Sequence, residues 1–285
     1  MTIHALTVEP ADANLRQLGR LAIASLHAEL VCAPKPGLVT PFDTGSHHDM
    51  DAATFIRSLF ALRGYFAAIA DAGARQAPFE QLQVLGLSAE RAMRRATGGI
   101  NTHRGAIFSL GLLVAAAASL RAQRVSTPAE AVCGEVASRW GAPILAAPVD
   151  CTSHGQRVAQ RHGAQGAREE AARGFPALRE IAIPALKKAL DATADRNAAM
   201  VQTLMSLVAT TEDTNILHRA GAPGLALARR RSREFLDGGG IHAPGWEARL
   251  ASIGRDFESK RLSPGGSADL LACAWFLVRL EHAAT

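Results

Sequence analysis

Apolar residues return at every third or fourth position along almost the whole of this 285-residue chain. That spacing lines one face of a helix, whereas a half-buried strand would alternate. Leu15, Leu18, Ala22 and Leu26 form a first stripe, which Asp12 or Asn14 can cap and which the Pro34-Lys35-Pro36-Gly37 run must end. Asp51 opens a second stripe of Phe55, Leu59, Leu62, Phe66 and Ile69. Pro78 begins a third, through Leu82, Leu85, Ala89 and Met93, stopped by Thr97-Gly98-Gly99. From about His103 to Leu120 the chain is apolar on nearly all sides, which places that helix at the centre of a bundle. Segments near 128–140, 176–192 and 195–210 continue the pattern, and Ser267 to His282 closes it. Alternating stretches are scarce, and no repeat, low-complexity tract or linker interrupts the chain. The expected architecture is all-α, a single-domain multi-helix bundle over 1–285 with an apolar central helix near 103–120.

Hydrophobic residues make up 48% and charged residues 20%, which excludes an intrinsically disordered chain. The longest uncharged stretch runs from Gly105 to Leu120 between Arg104 and Arg121, short of the ~20 apolar residues of a spanning helix, so no membrane segment is expected. Met1 to Ala13 lacks the basic, apolar, small-residue order of a secretory signal, and a cytoplasmic protein is expected. Cys32, Cys133, Cys151 and Cys273 lie far apart without a CxxC pair, and they read as reduced core residues. Thirty-one Lys and Arg against twenty-six Asp and Glu suit a polyanionic partner. Aromatics at 5%, not interleaved with basic residues, argue against nucleic acid, so a phosphorylated small molecule is expected.

Glycines cluster ahead of helices in KPGLVTPFDTGSHHDMD, TGGINTHRGAIF and LSPGGSADLL. A helix N-terminus offers unpaired N–H groups and partial positive charge, and glycine lets a phosphate approach them; the same glycines also serve simply to stop one helix before the next. Neither a P-loop nor a GxGxxG after a strand is present. His47, His48, Asp49 and Asp51 crowd one loop, where Asp51 suits a helix cap and Asp49 suits Mg²⁺. Glu29 falls on the apolar face of the first helix, either as an anchor for the following turn or as a base or metal ligand. Asp213, Asn215, His218 and Arg219 bring acid, amide and base together where a helical run ends in a polar turn. The stretch 151–175, with His154, Arg157, Arg168, Glu169 and Glu170, reads mostly as a solvated helix face.

Five pieces, ELVCAPKPGLVTPFDTGSHHDMD, TGGINTHRGAIFSLGLL, GAREEAARGFP, EDTNILHRAG and LSPGGSADLLACAWFL, resemble in this order the triphosphoribosyl-dephospho-CoA synthase family, from about Glu29 to Leu277. The wording VTPFDTGSHHDMDAATF looks most like the free-standing form that serves malonate decarboxylase, rather than the citrate lyase form. The resemblance implies an all-α enzyme that joins ATP to 3′-dephospho-CoA and releases adenine, making the precursor of a prosthetic group for an acyl-carrier protein. Self-association is left open. The matching positions are Glu29, Lys35, Pro36, Gly37, His47, Asp49, Asn101, Thr102, His103, Arg104, Arg168, Glu170, Asp213, Asn215, Arg219, Ser263, Gly265, Gly266 and Asp269. Glu169 and Ala220 stand where glycine is expected, which argues against close backbone approach there.

The implied reaction breaks a ribose–adenine bond, so positive charge develops on the sugar and carboxylates can stabilise it. Asp49 and Asp213 are expected at Mg²⁺ and ribose, with Glu29 as general base. Lys35, Arg104 and Arg219 are expected to clamp the triphosphate. His103 or Asn101 is expected to contact adenine. Two other readings compete: an Mg²⁺-dependent ADP-ribosyl hydrolase-like enzyme, whose metal turn EDTN resembles with Asn215 in place of an acid, and a helical binding module without turnover.

Overall fold

The computed structural model describes residues 10–148, 157–158 and 163–282. Among them are eleven α-helices and no strand. They are α1 (Pro10–Val31), α2 (Ala52–Ala74), α3 (Phe79–Ala96), α4 (Arg104–Ala122), α5 (Ala129–Ala146), α6 (Ala167–Ala172), α7 (Ile183–Ala192), α8 (Arg196–Thr210), α9 (Thr214–Asp237), α10 (Trp246–Ser259) and α11 (Gly265–His282). A π-turn, Ala177–Ala182, leads into α7, and a 3₁₀ turn, Gly240–His242, follows α9. Buried residues from all eleven helices join one hydrophobic cluster.

Helix α4 is the hub. Fourteen of its nineteen residues are buried, and it packs against α1, α2, α3, α5, α6 and α11. Its small residues make this possible: a side chain at Gly73 of α2 would lie 2.1 Å from the Ala115 carbonyl oxygen, so the two helices cross almost backbone to backbone. By length and composition α2 and α4 are both long and apolar enough to cross a membrane, whereas the uncharged stretches in the sequence are cut short by Arg104 and Arg121 around α4 and by Arg57 and Arg63 within α2. The most apolar window of α4 is 78% buried inside the protein.

Asp51 caps α2, its Oδ1 accepting from Thr54 N (2.8 Å) and Thr54 Oγ1 (2.7 Å). Asp12 and Asn14 lie within α1, which starts at Pro10, so neither is its N-cap. The turn after Asp213, read from the sequence as a helix end, instead begins α9. The stop signal there is a kink at Gly221 (φ 62°, ψ −166°) followed by Pro223, and the helix resumes beyond it. Cys32, Cys133 and Cys273 are buried free thiols, with the Cys32 thiol pushed up to about 12 chiefly by burial. Cys151 and His154 fall outside the described residues.

Candidate active site

The Pro-Lys-Pro-Gly segment ends α1 and folds back on it. Lys35 Nζ donates to the Glu29 carbonyl oxygen at 2.6 Å and is ion-paired with the Glu29 carboxylate. The two residues are only 5% and 6% exposed. A buried carboxylate needs such a partner, so Glu29 anchors the turn that its sequence position suggested. Asn197, in the first turn of α8, clamps the same turn: its Oδ1 accepts from Ala33 N at 2.9 Å and its Nδ2 donates to Ala33 O at 2.5 Å.

The heads of three helices meet beside this turn. Asp213, 3% exposed, caps α9 through Oδ1, which accepts from Asn215 N (2.9 Å) and Ile216 N (3.4 Å). Its Oδ2 accepts from Ser267 N (2.8 Å) and Ser267 Oγ (3.0 Å) in the first turn of α11. A carboxylate has about four acceptor positions, and all are engaged. Burial raises the Asp213 pKa, and these four hydrogen bonds oppose the rise. Gly265 and Gly266 pack against Asn215 and Asp213.

One turn further along α11, Asp269 accepts from the Ala106 N–H at the head of α4. A side chain on Gly105 would lie 2.0 Å from Asp269 Oδ2, so glycine there is what admits the carboxylate to the helix head. Burial, then Glu29 and Asp213, raise the Asp269 pKa well above the ordinary carboxylate range. Asp269 is nonetheless partly exposed.

At the rim, Arg219 of α9 donates to Ser46 O (3.0 Å) and to His47 Nδ1 (3.0 Å). His47 Nε2 pairs with Ser263 Oγ at 2.9 Å. Because guanidinium only donates, Nδ1 is the acceptor and the His47 proton sits on Nε2. Burial and then Arg219 lower the His47 pKa to about 4. Asp49 lies 3.7 Å from His47 Nδ1 with a 62% exposed side chain. Gly37 (φ +71°) brings this loop onto the chain before α11, where a Cβ would lie 2.2 Å from Leu262 O.

In the turn before α4, Asn101 Oδ1 accepts from Arg104 N at 3.1 Å, and Arg104 Nε pairs with Glu90 at 3.0 Å. His103, 2% exposed, pairs through Nδ1 with Ser58 Oγ at 2.7 Å. Burial and then Lys35 lower the His103 pKa to about 3. The Thr102 hydroxyl and His103 Nε2 are buried without a partner among the described residues.

Contacts thus link the turns bearing Glu29, Lys35, His47, His103, Asp213, Asn215, Arg219, Gly265, Gly266 and Asp269. Arg168 and Glu170 do not join this network. Arg168 donates to the carbonyls of Ile144 (2.6 Å), Leu145 (3.0 Å) and Ala147 (2.6 Å) at the end of α5, and Glu170 accepts from Ala177 N at 2.6 Å. Sequence reading missed Asn197, Ser58, Glu90 and Ser267, whose roles exist only through long-range partners.

Residues 15–285 match the family described as CitG, ATP:dephospho-CoA triphosphoribosyl transferase. A protein of Stutzerimonas stutzeri named "Probable 2-(5''-triphosphoribosyl)-3'-dephosphocoenzyme-A synthase" is 39% identical over 288 residues, 99% of this chain and 98% of that protein. One of Acinetobacter calcoaceticus with the same name is 36% identical over 267 residues, 93% of this chain and 91% of that protein. The 2-(5''-triphosphoribosyl)-3'-dephosphocoenzyme-A synthase of Pectobacterium atrosepticum is 37% identical over 273 residues, 93% of this chain and 89% of that protein. No solved structure matches the chain significantly. With nearly its full length matched, the chain belongs to the ATP:dephospho-CoA triphosphoribosyl transferase family.

Proposed function

We propose that the joined heads of α4, α9 and α11 bind ATP and 3′-dephospho-CoA and link them. The enzyme is a transferase of the triphosphoribosyl-dephospho-CoA synthase kind. In the reaction the 2′-hydroxyl oxygen of dephospho-CoA bonds to C1′ of the ATP ribose, the C1′–N9 bond breaks, and adenine leaves. The triphosphate stays on the sugar. Asp269 carries this reading: a carboxylate set against the head of α4, its proton affinity raised by burial and by the nearby Glu29 and Asp213, suits uptake of the hydroxyl proton. Glu29, expected from the sequence as the base, is assigned to shaping Asp269 while Lys35 holds it in place.

Arg219, Arg104 and the positive ends of the helix dipoles face the triphosphate in this proposal. No group of three or more His, Cys, Asp or Glu surrounds a common point among the described residues. Mg²⁺ keeps much of its water and shares phosphate oxygens, so one or two protein carboxylates suffice to hold it. Asp49, with its exposed carboxylate, would hold it, and the ion would neutralise triphosphate charge. Asp213, its acceptor positions filled, is assigned to bracing the two helices rather than to the metal.

The product is the precursor of a prosthetic group for an acyl-carrier protein, made in the cytoplasm where both substrates occur. The VTPFDTGSHHDMDAATF loop favours malonate decarboxylase as the system served, over citrate lyase. Mass spectrometry after incubation with ATP and 3′-dephospho-CoA, with and without Mg²⁺, tests the proposal. One triphosphoribosyl unit added to dephospho-CoA for each adenine released supports it. ATP recovered intact under all conditions, or adenine released at the same rate without dephospho-CoA as a hydrolase would do, overturns it.

A further inference from the structure

We propose that His103 presents its Nε2–H to a ring nitrogen of the departing adenine, making the turn ahead of α4 the purine subsite; this rests on the reaction proposed above. The ring is held on two sides and its backbone on a third. Ser58 Oγ meets Nδ1 at 2.7 Å, Phe55 lies edge-on at 5.0 Å, and the His103 backbone N–H points to Met93 Sδ at 3.3 Å. Of the two ring nitrogens, Nε2 is the one left without a partner among the described residues, beside the likewise unpartnered Thr102 hydroxyl at the head of the nineteen-residue α4.

Counting donors places the proton. The fully buried Ser58 hydroxyl has one partner, so if it accepted from Nδ1, its own hydrogen and the Nε2 lone pair would both go unmet. With Ser58 donating to Nδ1, the imidazole carries its hydrogen on Nε2, and a single buried N–H awaits an acceptor. Burial and Lys35 keep the ring neutral, so it acts as a fixed donor and not as an acid. Asn101, the other candidate on this turn, is exposed, so its amide N–H has water as an alternative partner, which the buried Nε2–H lacks.

Of adenine's ring acceptors N1, N3 and N7, the last two lie nearest the breaking C1′–N9 bond and are the ones this subsite would engage. When C1′–N9 breaks, the bond's electron pair passes into the base, and a donor on a ring nitrogen stabilises that charge. His103 keeps its hydrogen throughout: the proton given up by the 2′-hydroxyl balances the one adenine carries away on N9.

ATP analogues with carbon in place of N3 or of N7 test the contact, assayed as product formation against ATP with wild type, His103→Leu and His103→Gln. One analogue is expected to slow wild type roughly 100-fold, His103→Leu to slow ATP turnover by a similar factor, and the same analogue to cost His103→Leu nothing further. Glutamine, which restores an N–H, should recover part of the loss. Penalties that multiply in the leucine variant overturn the inference, whereas wild type forming no product from ATP overturns the reaction itself. Should His103→Leu fail to fold, Ser58→Ala takes its place: freeing the tautomer should weaken discrimination against the analogue, and unchanged discrimination counts against the contact.

Discussion

Asp213 receives both donors of Ser267, the backbone N–H at 2.8 Å and the hydroxyl at 3.0 Å, while its other oxygen caps α9. One buried carboxylate therefore sets the angle between two helices whose heads form the site. Asp213→Asn replaces an acceptor with a donor facing Ser267, leaving buried groups unmet. The expected loss is roughly 1–3 kcal/mol of stability, with adenine release abolished. Urea unfolding alongside an adenine assay checks this, and a stable variant with parent activity would contradict it.

Asn197 holds Ala33 through both its N–H and its carbonyl, and so fixes the turn that carries Lys35. Asn197→Leu should release that turn while leaving α8 helical by circular dichroism. Turnover is expected to fall at least about tenfold, since small displacements of positioning groups are costly. Unchanged turnover would show that Lys35 keeps its place without the clamp.

The Glu29–Lys35 pair is buried, so removing one partner strands the other. Lys35→Met should cost about 3–5 kcal/mol, and adding Glu29→Gln should restore much of it because no charge is left uncompensated. Chemical denaturation of the two single variants and the double variant measures the coupling. Simple additivity would mean that the charges are not coupled.

His47 gives the fold a pH dependence whose sign follows from its depressed pKa. Unfolded, it takes a proton below its ordinary 6.5; folded, it declines one until about 4. Acid therefore favours the unfolded chain in that window, by up to about 1.4 kcal/mol per pH unit, and the term levels off below pH 4. His47→Gln lacks the term, so its stability should fall less steeply than wild type between pH 6 and pH 4. Parallel slopes in urea unfolding would contradict the buried, neutral assignment.

The helices with clean stripes, α1 to α4 and α11, were legible because each buries one face or, for α4, nearly all of itself. Helix α9 was hidden by the Gly221 kink, Pro223 and consecutive arginines, although Leu225, Ala228, Ser232 and Phe235 line its buried side. The helix-head motifs carrying Lys35, His103, Asp213 and Asp269 were visible as glycine-rich turns, but their pairings were not. Ser58 and His103 lie 45 positions apart, Asp213 and Ser267 54, and Ala33 and Asn197 164. Local pattern carries no record of such partners. Arg168 shows the converse: in the motif it looked like a ligand group, whereas its guanidinium is spent on the carbonyls ending α5.

The most direct test is a crystal structure with 3′-dephospho-CoA and an ATP analogue whose ribose–adenine bond cannot break. The acceptor 2′-hydroxyl should lie within hydrogen-bond reach of Asp269, about 3 Å, with the ribose C1′ next to it and the triphosphate against the heads of α4 and α11. A nucleotide seated elsewhere, with Asp269 untouched by either substrate, would contradict the account.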